Sequence, residues 1–146
     1  MITAFQFIAT LSTALFAGAS IYINFVEHPA RMGCDTKTAV TVWAPSYKRA
    51  TVMQASLAII GFLSGLAVWL LGADIMWLVG AVFIGLVVPF TFIAIMPTNH
   101  QLLAPDRDLA SSETRALLEK WGKLHAVRSV LSFVASVVYV GLLVWA

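Results

Sequence analysis

The sequence predicts an all-α protein: an integral membrane four-helix bundle with both termini outside, two long cytoplasmic loops and an amphipathic helix leading into the last span. Three observations predict it. First, 60% of the 146 residues are hydrophobic and only 11% are charged, whereas about a quarter of a soluble domain is charged. Second, four stretches approach the length of about 20 apolar residues that crosses a bilayer as a helix. Residues 2–26, 50–73 and 75–96 carry no charge, and the shorter run 130–146 extends back to Ala126. Third, every Lys and Arg lies either between the first two stretches or between the last two, with Arg128 just inside; the other end has only Asp74 and the termini. The positive-inside rule makes the basic end cytoplasmic. The chain reads as one domain, 1–146, with spans at about 2–27, 48–73, 75–96 and 126–146 and the amphipathic helix over about 112–125. This implies a multi-pass protein of a bacterial inner (plasma) membrane, surrounded by lipid, with no nucleic-acid partner.

The first stretch has no basic leader, and its apolar part exceeds the roughly 7–15 residues of a signal-peptide core, so it reads as a retained span. Ala14, Ala17, Gly18 and Ser20 give it a small-residue face for a neighbouring helix. Tyr22 and Asn24 stand near its cytoplasmic end. Pro29 restricts the residue before it and should end the helix near Glu27. A loop over 30–48 then holds Gly33, Trp43, Pro45 and Tyr47, with a short helix over 39–43 and Ser46 as the N-cap of the second span. The single cysteine, Cys34, lies in this loop and excludes an internal disulfide. Lys48 is placed to reach lipid headgroups, and Gln54, one turn further in, to hydrogen-bond across the bundle.

Gly61-Phe-Leu-Ser-Gly65 marks a close helix contact, within the chain or in a homo-oligomer. Gly72-Ala-Asp74 reads as a tight turn. Trp69 and Trp77 beside it suit the outer interfacial belt. Pro89 should kink the third span and leave a cavity. Pro97 should end that span, followed at once by Thr98, Asn99 and His100. After a loop over 101–111, Ser111 or Ser112 caps a helix with Glu113 in its first turn. That helix carries Leu117, Leu118, Trp121 and Lys123 and runs into the fourth span, unbroken or bent near Gly122.

The span ends bring Glu27 and His28, Asn99 and His100, and His125 and Arg128 to one layer, which holds all three histidines of the chain. Trp121, His125 and Arg128 recur at helical spacing and share a face, continued inward by Ser132. Three readings stand. Glu27, His28 and His125 are candidate ligands for a transition metal such as Cu, Fe or Zn. Alternatively, with no metal, His125 is a general base, while Arg128 and Asn99 hold an oxyanion; Glu27 then orients His125. In the third reading the layer has no chemistry: Glu27 pairs with Arg128, while His125 and Asn99 satisfy backbone carbonyls. Trp121, Asn24 and Tyr47 are candidate substrate-binding residues, and Trp43 suits the interfacial belt.

Glu27-His28-Pro29, Pro97-Thr98-Asn99 with Leu102, and Trp121-x-x-x-His125-x-x-Arg128 resemble the anthrone oxygenase-like family of small four-helix membrane proteins. The likeness runs along nearly the whole chain. Fungal members oxidise anthrones to anthraquinones. The resemblance therefore implies a membrane oxygenase that uses O2 on an apolar, aromatic or quinone-like substrate. By motif position it carries Glu27, Asn99, Trp121, His125 and Arg128; His28 and His100 rest on their place in the layer alone. The alternative class is non-enzymatic: a membrane protein that binds a metal, haem or quinone, or a partner subunit. No c-type haem attachment motif is present.

Overall fold

The computed structural model describes residues 1–145. It has four long helices: α1 (Ile2–Met32), α2 (Thr36–Leu70), α3 (Met76–Leu102) and α4 (Ser112–Val144), each long and apolar enough to cross a membrane. No strand occurs among the described residues. α1 packs on α2 and α4, and α3 packs on the same two helices, while α2 and α4 touch little. The result is a four-cornered, up-and-down bundle with both termini at one end.

The helices are longer than the sequence suggests, because neither Pro29 nor Pro97 stops its helix. A proline lacks an N–H and would strand the carbonyl four residues earlier, here that of Phe25 or Ile93. Both residues lie inside wide, π-helical turns, Ile23–Glu27 and Thr91–Ile95. In these turns the His28 N–H reaches back to the Ile23 carbonyl, and the Met96 N–H to that of Thr91. A single turn of this kind re-registers the ladder and lets the helix continue.

The loop expected over 30–48 is also helical. α2 begins at Thr36, capped by Asp35, whose carboxylate accepts from the Thr38 N–H at 3.0 Å and the Thr38 hydroxyl at 2.7 Å. Both bonds favour the ionised carboxyl and hold it below the usual carboxylate range. Ser46 is therefore not a cap, and Pro45 lies within the helix. The two long loops shrink to a tight connection at 33–35 and the segment 103–111. At α4 the cap is Ser111, whose Oγ accepts from the Thr114 N–H at 3.1 Å, and the helix passes Gly122 without a break. At 1.5 Å per residue, the 35 residues of α2 span roughly 50 Å, against a hydrocarbon core of about 30 Å. The surplus turns project at the basic end and bring Trp43 and Tyr47 over the other helices.

Three buried clusters stack along the bundle. Trp43, Trp121, Leu118 and Ile95 fill the basic end. Phe16, Ala58, Ile84 and Ala135 fill the middle, and Ala9, Val68, Trp77 and Tyr139 the end near the termini. Trp77 is thus no belt residue: it is only 3% exposed and stacks on Tyr139 with ring centroids 5.0 Å apart. The Gly61/Gly65 pair makes its close contact within the chain. A Cβ on Gly61 would lie 2.7 Å from Thr13 Oγ1, and one on Gly65 1.8 Å from the Tyr139 hydroxyl. Both glycines are buried among this chain's own helices, so they are not a surface for a second copy. Gly65→Ala is expected to destabilise the protein by about 1–3 kcal/mol through overpacking, with Tyr139→Leu restoring much of the loss; thermal unfolding in detergent micelles measures both.

Candidate functional site

The inward stripe of α4 sets the site. Trp121, His125, Arg128 and Ser132 are all buried, and His125 is 1% exposed. From α1, the Asn24 amide nitrogen donates to the Gly122 carbonyl at 3.0 Å. Its amide oxygen lies 2.8 Å from His125 Nδ1 and accepts from the Ser129 hydroxyl at 2.6 Å. That orientation makes the oxygen an acceptor only, so His125 Nδ1 must carry the hydrogen. The lone pair is then on Nε2. Trp121, one turn earlier, stacks on the imidazole with centroids 4.9 Å apart. Asn24, expected to bind substrate, instead sets the tautomer and orientation of the imidazole.

Arg128 is 7% exposed. Its Nη2 donates to Gln54 Oε1 at 2.8 Å, and Gln54 Nε2 donates on to Ser20 Oγ at 3.2 Å. The guanidinium carbon sits 5.4 Å from the Phe16 ring centroid. Nε is buried without a partner. Among the described residues no carboxylate pairs with Arg128: the acidic partners go to Arg31, Arg107 and Arg115. Gln54 does bond across the bundle, as expected of it one turn inside the apolar run that begins near residue 48.

Glu27 does not join His125 or Arg128. Because the helix continues through Pro29, Arg31 falls one turn beyond Glu27 on the same face. The Glu27 carboxylate accepts from Arg31 and from the Ser46 hydroxyl. Asn99 is fully buried, but its amide nitrogen has only Met96 Sδ nearby, at 4.0 Å, and its oxygen has no partner. It lines neither cavity described below. His28 is buried as a packing group: its ring lies 5.2 Å from that of Trp121, and a Cβ on Gly122 would meet its Nε2 at 2.6 Å. His100 is exposed. The structure therefore joins His125, Arg128, Trp121, Asn24 and Tyr47, and leaves Glu27, Asn99 and His100 outside their contacts.

The metal reading fails the same inspection. Among the described residues no three His, Cys, Asp or Glu side chains are grouped to hold an ion. Glu27 is engaged by Arg31 and Ser46, and His125 Nδ1 by Asn24. Glu27, His28 and His125 do not fit a metal centre.

Trp43 is fully buried rather than interfacial. It stacks on Tyr47 at 5.1 Å and meets Trp121 edge-on at 5.8 Å. Tyr47, Trp121, His125, Arg128, Gln54 and Arg31 surround a cavity of about 10 Å³, enough for one water. A second space of about 70 Å³ shares Thr51, Gln54 and Arg128 with it and reaches Met96 and Phe92. One wall thus carries an imidazole with a free lone pair beside a cation lacking a counterion, which suits taking up a proton and holding the anion left behind. Sequence reasoning missed Ser129, although it lies at i+4 from His125, and Arg31, whose i+4 relation to Glu27 was hidden by ending the helix at Pro29.

Fold and site together define a four-span membrane protein with a buried imidazole–guanidinium site at the basic end of the bundle. The chain belongs to the anthrone oxygenase family, whose model matches residues 43–138. The match takes in Tyr47, Gln54, Trp121, His125 and Arg128, but not the first helix with its Glu27-His28-Pro29 motif. The chain is 36% identical over 69 residues to anthrone oxygenase tpcL of Aspergillus fumigatus. That alignment covers 45% of this chain and 43% of the relative. No solved structure matches the chain.

Because Gln54 is, among the described residues, the one side chain that accepts from Arg128, Gln54→Leu is expected to strand a buried cation and cost about 1–3 kcal/mol. The double variant Gln54→Leu/Arg128→Met should recover most of this. Unfolding midpoints of the four proteins in one detergent test it as a double-mutant cycle.

Proposed function

We propose that this protein is an O2-dependent oxygenase acting on an apolar aromatic substrate with an acidic C–H or O–H group, of the anthrone type named in its relative. The observation that carries this is the pairing of the His125 lone pair with an Arg128 that has no carboxylate partner, on one cavity wall. His125 Nε2 takes the proton. Asn24 and Ser129 keep the proton on Nδ1 throughout, so the lone pair stays on Nε2 of a ring that lines the cavity. Arg128 holds the oxygen on which the electron pair delocalises. Gln54 holds the guanidinium in place. Trp121 and Tyr47 line the same small cavity, which must widen from the size of one water to take a ring system. The electron-rich carbanion then reacts with O2. Converting a CH2 to a carbonyl uses one O2: one oxygen atom enters the product, and the other leaves as water with the two hydrogens. A bundle interior protects the intermediates from bulk water. Asn99 and Glu27 have no part in this scheme; Glu27 supports the wall through Arg31 and Ser46.

The test uses protein reconstituted in liposomes with 1,8-dihydroxyanthrone, following O2 uptake and anthraquinone formation above the uncatalysed rate. His125→Ala should lower turnover at least about a hundredfold, and Arg128→Gln about a hundredfold in kcat/KM, with unchanged helix content. Full activity in His125→Ala would refute the scheme.

The basic end is proposed to face the cytoplasm, since it holds every Lys and Arg of the chain. Cys34, free and exposed in the turn between α1 and α2, reports this. In intact cells it should resist a membrane-impermeant maleimide and become labelled on permeabilisation.

A further inference from the structure

We propose that a crevice between α2 and α3, open to the bilayer, admits a flat apolar ligand with one anionic oxygen and ends on Arg128. The proposal rests on reading Arg128 as the oxyanion holder. Three spaces share lining residues one to the next. A lipid-facing groove of about 440 Å³ runs between Ala58 and Phe62 on α2 and Gly85 and Val88 on α3. It shares Ala58 and Val88 with the 70 Å³ space, which in turn shares Thr51, Gln54 and Arg128 with the small cavity at His125. The groove's rim residues Ile59 and Leu86 are about half exposed, so its mouth faces lipid, where an apolar ligand would be dissolved.

The local sequence accounts for the gap. Pro89 has no N–H, so the Gly85 carbonyl has no helical donor, and Phe62 lies against the bare Gly85 backbone, where a Cβ would come within 2.8 Å of its ring. The wide turn at Thr91–Ile95 follows directly and lines the inner space with Thr91 and Phe92. The ligand's chemistry follows from the two ends. The outer walls are apolar, so the body is apolar. The inner end is a buried guanidinium with no carboxylate and with Nε unpartnered, so the leading atom is an anionic oxygen.

The experiment is photolabelling of the full chain in liposomes with 4-benzoylbenzoate, neutral benzophenone serving as control, and cross-links mapped by mass spectrometry. The carboxylate probe should mark the α2–α3 crevice as far as Met96, and unlabelled 1,8-dihydroxyanthrone should compete with it. Arg128→Gln should cut labelling by the carboxylate about tenfold and leave benzophenone labelling unchanged. Ala55→Trp, which fills the inner space, should cut it similarly; Val52→Trp on the lipid-exposed face should not. Labelling spread over all lipid-facing helices, or equal for both probes and insensitive to Arg128→Gln, would overturn the proposal in favour of a groove holding a lipid chain. Turnover of the same samples separates the two readings. Active wild type with Ala55→Trp altering neither labelling nor KM sinks the crevice alone. The expected labelling pattern without turnover supports the crevice and sinks the reaction.

Discussion

A guanidinium one or two turns inside an apolar bundle constrains everything around it. A cation there is costly unless polar groups surround it, and Arg128 meets this requirement with neutral ones: the Gln54 carbonyl oxygen and the face of Phe16, with Gln54 itself held by Ser20. Neutral partners meet part of the directional needs of the side chain, leave Nε without one, and do not cancel its charge. The interior therefore keeps a positive field at one place, beside an imidazole whose tautomer is set by Asn24 and Ser129. A carboxylate in the position of Gln54 would neutralise that field and remove the reason for an anion to enter.

The two wide turns are the backbone counterpart of that arrangement. They occur at corresponding ends of α1 and α3, each just before a proline. On α1 the turn includes Asn24 and Glu27, and the continued helix brings Arg31 onto Glu27. On α3 it lines the inner end of the crevice next to Arg128. Turns of this type cost backbone regularity and are frequent at functional sites. In this bundle Arg31 is neutralised by Glu27, and Arg128 is left with its charge.

The features legible in the sequence were those decided by local chemistry. The Ser111 cap, the turn at Gly72 with its positive φ, and the close helix contact at Gly61 and Gly65 each follow from the residues themselves. So does the shared face of Trp121, His125 and Arg128, since an unbroken helix needs only its own period to align them. The errors share a different cause. The proline rule places stops at Pro29 and Pro97 because it is local, whereas a helix held on both sides by neighbours can widen a turn and continue. The same local reasoning makes Ser46 a cap, whereas its hydroxyl serves Glu27.

By itself the sequence determined that this chain lives in a bilayer as four helices with every Lys and Arg at one end, because apolar length and charge placement are additive properties of the residues. It also determined that one helix would present an imidazole and a guanidinium together. Only the tertiary structure decided which groups from the other helices answer them. Gln54 rather than Glu27 meets Arg128, and Asn24 rather than Asn99 meets His125. That choice depends on the rotation and register of each neighbouring helix, and a single wide turn shifts both. No periodicity within one segment carries that information.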